Sequence, residues 1–480
     1  MMMLINGCWK AAADGLTDAI LNPATGEEIS VVPRAGTADV LAAVDAAQQG
    51  ARHMAALPAY RRYEILEAVA RRIEDNQQEL GVLLCRENGK RLAETTSEVG
   101  VAARIFRAYA EEAKRLFGKT IPLDAIPGRE TAFAITRHEP LGVIAAIVPF
   151  NYPVELWSHK IAGGLAAGNA VITKAPEDCP LTMIEISRYL EEAGLPPAAH
   201  QLLTGGRETG EALVRAQGVQ MIAMTGSTEA GKHILQAAAA TLKKVHLELG
   251  GNDATIVCED ADIDSVADAL IAGRFTGGNG QVCCAVKRVL VQRSVFDSLL
   301  EKVTERTRRL IVGNPLQPET DVGPLINARA AEKVAAQIAD AVAQGARIVV
   351  GGGRRDNFIE PTILVGVEPR TPAFTDETFG PVLPLLPYCD FEDALRLANE
   401  TPFGLQAAIF TRDIQRIMRA YQVLDVGTVV VNHTTAIRIE TLPFGGNKSS
   451  GNAREGVHET LLHMSKEKTL LLNDIFGASA

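Results

Sequence analysis

From Leu141 to Cys258 short apolar runs alternate with longer stretches in which apolar residues return at helical spacing. Gly142–Val148, Ala170–Thr173, His200–Leu203, Met221–Met224, Lys244–Leu247 and Ala254–Val257 read as strands. Val154–Ala167, Leu181–Glu192, Glu208–Ala216 and Thr228–Leu242 read as the helices between them. Strand and helix in alternation predict a parallel sheet covered on both faces, an α/β fold. The alternation resumes over Asp262–Gly451, with helices at Ser294–Leu310 and Ala328–Gln344 and strands at Val286–Val291, Ile348–Val350, Ala407–Phe410 and Gly427–Val431. That predicts a second α/β domain. Ahead of both, Val40–Asn76 and Leu80–Phe117 gather residues such as Leu66, Val69, Ala70 and Ile73 on one face and charge on the other, and read as surface helices. Thr131–His138 alternates after a Pro127-Gly128 turn and reads as part of a hairpin-like excursion; the apolar run Thr469–Asn473 reads as an edge strand.

The 480 residues amount to roughly three domains of chain, and no repeat, low-complexity tract or long linker separates them. At 47% hydrophobic and 22% charged, the chain can bury sizeable cores. Forty-eight basic against 58 acidic residues leave a formal charge of −10, which weighs against nucleic acid and anionic membrane surfaces as partners. The apolar run Leu141–Phe150 is about half the length of a membrane span. Met1–Lys10 has neither the basic nor the apolar region of a signal peptide. Seven irregularly spaced cysteines read as reduced thiols, and no His/Cys cluster has metal-ligand spacing. The expectation is a soluble, cytoplasmic, multidomain globular protein.

Four motifs bear on chemistry. In Gly280-Gln-Val-Cys-Cys-Ala285, a glycine-rich approach from Thr276 permits the unusual backbone that presents a thiol at a cleft, although two core cysteines would read the same way. Glu248, in Leu247-Glu-Leu-Gly-Gly251, stands at a strand end, where catalytic groups of α/β sheets collect; beside a thiol it suits a general base, and alone it suits a loop cap. Asn151, in Pro149-Phe-Asn-Tyr-Pro153, can donate to a developing oxyanion or merely shape a turn. Gly226-Ser-Thr-Glu-Ala-Gly231 opens a helix straight after a strand, a seat for phosphate that matches neither the GxGxxG nor the P-loop pattern. Ile172–Glu177 and Glu377–Val382 add charged groups beside turns.

Taken in order, PFNYP, ITKAPE, TGSTEAG, LELGG, GQVCCA, ETFGPV and PFGGNKSSG resemble the NAD(P)-dependent aldehyde dehydrogenase superfamily over essentially the whole chain. Each stretch is unspecific alone; seven in the family's order are not a chance agreement. The resemblance implies Cys283 as nucleophile, Glu248 as general base, and Asn151 with the Cys283 N–H as oxyanion donors. It implies Lys174 and Glu177 at the adenosine ribose, Ser227 at the pyrophosphate, and Glu377 and Phe379 at the nicotinamide side. Pro149, Gly226, Gly231 and Leu249 complete the cofactor set, and no metal is implied. The chemistry implied is a thiohemiacetal on Cys283, oxidised to a thioester that water cleaves with help from Glu248.

The family fold implies a Rossmann-like cofactor domain at 1–118 and 139–251, a catalytic domain at 252–461, and a bridging sheet at 119–138 and 462–480. That sheet implies a homodimer or homotetramer. Glu177 would repel a 2′-phosphate, so NAD is expected over NADP. Val101, Tyr152, Val282, Cys284 and Arg438 are expected near the substrate. Arg438 falls where many relatives with apolar substrates carry an aromatic; facing the tunnel unpaired it would demand a polar partner, whereas paired with Glu440 or another carboxylate it would be inert. The expected substrate is a small hydroxyaldehyde, lactaldehyde- or glycolaldehyde-like, with short acid semialdehydes second and aliphatic or aromatic aldehydes as the alternative. Two rivals stand beside hydrolytic oxidation: CoA-acylating oxidation, and a non-catalytic protein on the same fold.

Overall fold

The computed structural model describes residues 1–473 and contains two seven-stranded sheets and one of three strands. In the first, Lys244–Glu248, Met221–Thr225, Val143–Ile147, Ala170–Lys174 and His200–Leu203 run parallel in that spatial order. Met3–Ile5 adds to His200–Leu203 antiparallel and turns back as Cys8–Lys10. Successive residues of the central strands enter different cores. Ile144, Ala146 and Val171 pack with Trp157, Ile161, Leu181 and Phe106, while Val143, Ala145 and Ile172 pack with Val40, Ala43 and Val44. This is the two-sided burial that makes such strands read as continuous apolar runs. The fold is α/β, as the alternation predicts.

The second sheet runs Arg347–Val350, Thr362–Val365, Val382–Tyr388, Arg288–Gln292, Ala254–Val257, Gln406–Phe410 and Thr428–Val431, with only the first strand antiparallel to its neighbour. Thr362–Val365 and Val382–Tyr388 are strands that the apolar pattern does not announce. The second carries Pro384 and Pro387, and proline within a run argues against a sheet interior. The third sheet pairs Ser465–Leu472 with Phe133–Pro140, and Phe133–Pro140 with Thr120–Ile121. The expected edge strand and hairpin arm therefore meet, about 330 residues apart in sequence. The tail beyond 473 lies outside the described residues.

The two long amphipathic stretches are four helices: Thr37–Ala56, Ala59–Asp75, Gln77–Asn88 and Leu92–Glu112. The first break falls at Leu57, held extended (ψ 121°) by the proline after it. The fourth helix corrects the surface reading. Val99, Ala102, Ala103, Ile105, Phe106 and Tyr109 are all fully buried, because this helix packs against both Ala59–Asp75 and Pro153–Ala166. Among the described residues no helix is long and apolar enough to cross a membrane.

Candidate active site

Parallel strands put their carboxyl ends on one edge, and four of the expected residues sit at such ends. Glu248 closes Lys244–Glu248 and Lys174 closes Ala170–Lys174. Asn151 follows Val143–Ile147, and Ser227 follows Met221–Thr225 as the N-cap of helix Thr228–Ala239, its Oγ accepting from the Ala230 N–H at 3.3 Å. That arrangement leaves the helix's first N–H groups facing the sheet edge.

The turn after Glu248 joins the two halves of the molecule. A Cβ on Gly250 would lie 2.5 Å from Glu377 Oε2, and one on Gly251 would lie 2.5 Å from the Cys283 carbonyl oxygen. Only glycine admits both approaches. Glu377 is fixed there, its Oε1 accepting from Lys287 Nζ at 3.0 Å and from the Gly251 N–H at 3.2 Å. Phe379 meets Phe150 edge to face, centroids 5.9 Å apart. The Pro149–Pro153 loop, the Glu248 turn, the Cys283 loop and the Glu377–Phe379 loop therefore converge.

The approach to the thiol has the unusual backbone its glycines permit. Gly278, Asn279 and Gly280 are consecutive left-handed residues, with φ of +54°, +54° and +75°. Asn279 is held in that strained region by its own amide: Nδ2 donates to the Gly89 carbonyl at 2.9 Å, and Oδ1 accepts from the Gly323 N–H at 2.8 Å. Beyond it Cys283 is partly exposed while Cys284 is buried. The Cys283 N–H bonds to no described residue, and the Asn151 side-chain amide likewise has no partner among them. Two donors thus stand uncommitted on the loops that converge here.

Electrostatics separate the titratable groups. Glu248 is 2% exposed, and neither carboxylate oxygen has a hydrogen-bond partner among the described residues. Burial, with the nearby Glu455 charge, pushes its carboxyl well above the usual range. Glu455 moves the other way. Burial opposes its charge, but Lys160 Nζ at 2.9 Å and Arg438 Nη2 at 2.7 Å outweigh that and hold it well below the ordinary value. The neighbouring Cys284 thiol, then burial, pushes the Cys283 thiol well up. Cys284→Ala removes the larger cause, so alkylation of Cys283 by iodoacetamide should speed about two- to tenfold at mildly alkaline pH and its pH midpoint should fall. The measurement is made on the Cys283 peptide by mass spectrometry, because Cys8 and Cys389 are exposed. An unmoved midpoint would show that burial alone sets the thiol.

The expected substrate residues divide. Tyr152, Val282 and Cys284 gather with Leu405 and Phe444 in a small apolar cluster around Cys283. Val101 is half-buried on Leu92–Glu112 and packs against the first core. Arg438 is not a free cation: its side chain, 12% exposed, pairs with Glu455 and lies 4.7 Å over the Phe444 ring. Glu440 pairs instead with Arg104 at 2.9 Å. The demand for a polar substrate built on an unpaired Arg438 therefore lapses. Glu177 is exposed beside Gly206, where a Cβ would come within 3.0 Å of its Oε1. Lys174 is half-buried, and desolvation draws its ammonium down.

Sequence reasoning passed over Lys90, Glu94, Glu98, Lys160 and Glu455. The one available signal was a Lys beside a His within the apolar helix Pro153–Ala166, where a charge has no reason to sit unless it is paired.

Residues 9–470 match the Aldehyde dehydrogenase family. The chain is 38% identical to the 3-sulfolactaldehyde dehydrogenase of Priestia aryabhattai over 98% of each chain. It is also 38% identical to the glutarate-semialdehyde dehydrogenase of Pseudomonas putida, over 94% of this chain and 93% of that one. Among solved structures, the NADP-dependent glyceraldehyde-3-phosphate dehydrogenase of Bacillus halodurans, complexed with NADP, superposes with a TM-score of 0.95 at 36% identity, covering 98% and 99% of the two chains. The protein belongs to the aldehyde dehydrogenase family. It is an oxidoreductase acting on aldehydes.

Proposed function

We propose that the chain oxidises a small polar aldehyde to its carboxylic acid through a covalent intermediate on Cys283, with NAD preferred over NADP. The observation that carries this reading is the set of uncommitted polar atoms on the loops that meet at Cys283: the Cys283 N–H, the Asn151 amide and both Glu248 oxygens. The Cys283 thiolate adds to the aldehyde carbonyl, and the Asn151 amide and Cys283 N–H stabilise the oxygen that becomes negative. Glu248 then takes a proton from water as the water attacks the thioester.

The residues at the strand ends fit a nicotinamide dinucleotide. Ser227 opens a helix N-terminus suited to pyrophosphate, Gly226, Gly231 and Leu249 shape that edge, and Lys174 with Glu177 offers a cation and a carboxylate for ribose hydroxyls. Glu377 and Phe379 stand nearer the thiol, and Pro149 precedes Phe150, the residue that Phe379 meets. Bound there, the cofactor supplies the hydride acceptor. The Glu177 charge is the reason for preferring NAD.

Substrate polarity rests on the relatives, which act on a sulfonated hydroxyaldehyde and an acid semialdehyde. Hydroxyaldehydes come first and short acid semialdehydes second. The division into 1–118 with 139–251, 252–461, and 119–138 with 462–480 is supported by the three sheets, and exposed Leu470 and Leu471 on Ser465–Leu472 support a homodimer or homotetramer. One experiment tests the reading: an aldehyde panel assayed with each cofactor, with and without CoA, on protein sized by light scattering. A hydroxy- or carboxy-aldehyde with NAD should give the highest kcat/KM, and free acid should be the product of an oligomer. Equal rates with NADP, a lead for hexanal or benzaldehyde, acyl-CoA as main product, or a 51.3 kDa particle would each overturn its own part.

A further inference from the structure

We propose that Asn88–Glu98 is a positioning strap that registers the oxyanion loop against the nucleophile loop, with Lys90 acting through Asn151; this rests on the roles given to Asn151 and Cys283 above. The strap spans the end of helix Gln77–Asn88 and the first turns of Leu92–Glu112. Its side chains reach two loops that are far apart in sequence.

Toward the oxyanion loop, Asn88 Nδ2 donates to the Phe150 carbonyl and Lys90 Nζ donates to the Asn151 carbonyl, each at 2.6 Å. Glu98 pairs with Lys90, and its Oε1 accepts the N–H groups of Val154 at 2.9 Å and Glu155 at 3.2 Å. Lys90 Nζ also lies 3.7 Å from the centroid of the Tyr152 ring. Five of the six residues from Phe150 to Glu155, all but Pro153, are thereby held, on both sides of the Asn151 side chain. Toward the nucleophile loop, Arg91 Nη2 donates to the Thr276 carbonyl at 3.1 Å. Glu94 Oε1 accepts the Gly278 N–H at 2.7 Å and the Tyr152 hydroxyl at 2.6 Å, so one oxygen touches both loops.

The Lys90 and Glu98 side chains are each 1% exposed. Desolvation offsets most of the Coulomb gain of such a pair, so stability alone explains it poorly. Its remaining hydrogen bonds fall on backbone atoms that aim the Asn151 amide, and an oxyanion donor works only if it is held where charge develops.

The test is a cycle of wild type, Lys90→Met, Asn151→Ala and the double variant, with kcat measured on the best aldehyde. Lys90→Met should lower kcat about 10- to 100-fold in wild type but less than about threefold in Asn151→Ala. Cofactor Kd and the alkylation rate of Cys283 should hold within about twofold in Lys90→Met, since neither reads the oxyanion donor. Equal losses in both backgrounds, or no loss in wild type, overturn the strap. Should Lys90→Met not fold, Glu98→Gln, which keeps an oxygen for the Val154 N–H, enters the same cycle with the same outcomes. A wild type that makes no NAD(P)H from any aldehyde removes the functional reading itself; equal losses remove only the strap, and a silent Asn151→Ala removes both the oxyanion role and the strap.

Discussion

Cys283→Ser should lose aldehyde oxidation by at least about 10³-fold while still binding the nicotinamide cofactor. A serine hydroxyl is far less acidic than a thiol, and Glu248, pushed toward its neutral form by burial, makes no hydrogen bond to this position: neither of its oxygens has a partner among the described residues. Sulfur needs less help. Even with its thiol held up by Cys284 and by burial, Cys283 is the more nucleophilic group and forms the better leaving group from the tetrahedral adduct. Serine is close to cysteine in size and Cys283 is only partly buried, so the loss reports chemistry and not packing. NADH or NADPH formation in steady state measures it. A serine variant that kept wild-type turnover would end the covalent mechanism.

Glu248→Gln should lower kcat about 10²- to 10⁴-fold and spare the first turnover. The amide fills the same volume at the strand end but cannot accept a proton from water, so acyl-enzyme should accumulate behind a near-stoichiometric burst of reduced cofactor. The pH dependence follows from the direction of the Glu248 shift. Burial and Glu455 favour the protonated form, so the base form appears only as pH rises past a midpoint above the ordinary glutamate value. Wild-type kcat should therefore climb on the acid side with that raised midpoint, and the Gln variant should lack the limb. Rapid-quench and pH–rate measurements check both. If burst and steady state fall together, Glu248 acts before the thioester; if neither falls, it is no base.

The elements that were legible share a physical cause. Val143–Ile147, Ala170–Lys174 and Met221–Thr225 are buried on both faces, so nearly every position is apolar, and their flanking helices carry one apolar stripe each. Val382–Tyr388 was not legible, because its prolines read as a break although the strand lies inside the sheet. Leu92–Glu112 misled for another reason. Its charged positions include Glu94 and Glu98, which face a buried network and not solvent. A one-residue-at-a-time pattern cannot distinguish a solvated carboxylate from a paired one.

By itself the sequence determined the α/β architecture, the family, and which thiol, carboxylate and amide to watch. Those properties are local: strand periodicity, glycines where backbones must approach, short motifs at strand ends. Only the tertiary structure decided the state of the charges. Arg438 is neutralised by Glu455, a residue 17 positions on, and Lys90 reaches the Asn151 carbonyl from 61 positions away. A buried charge is set by whatever the fold brings within a few ångströms, and sequence order does not encode that distance.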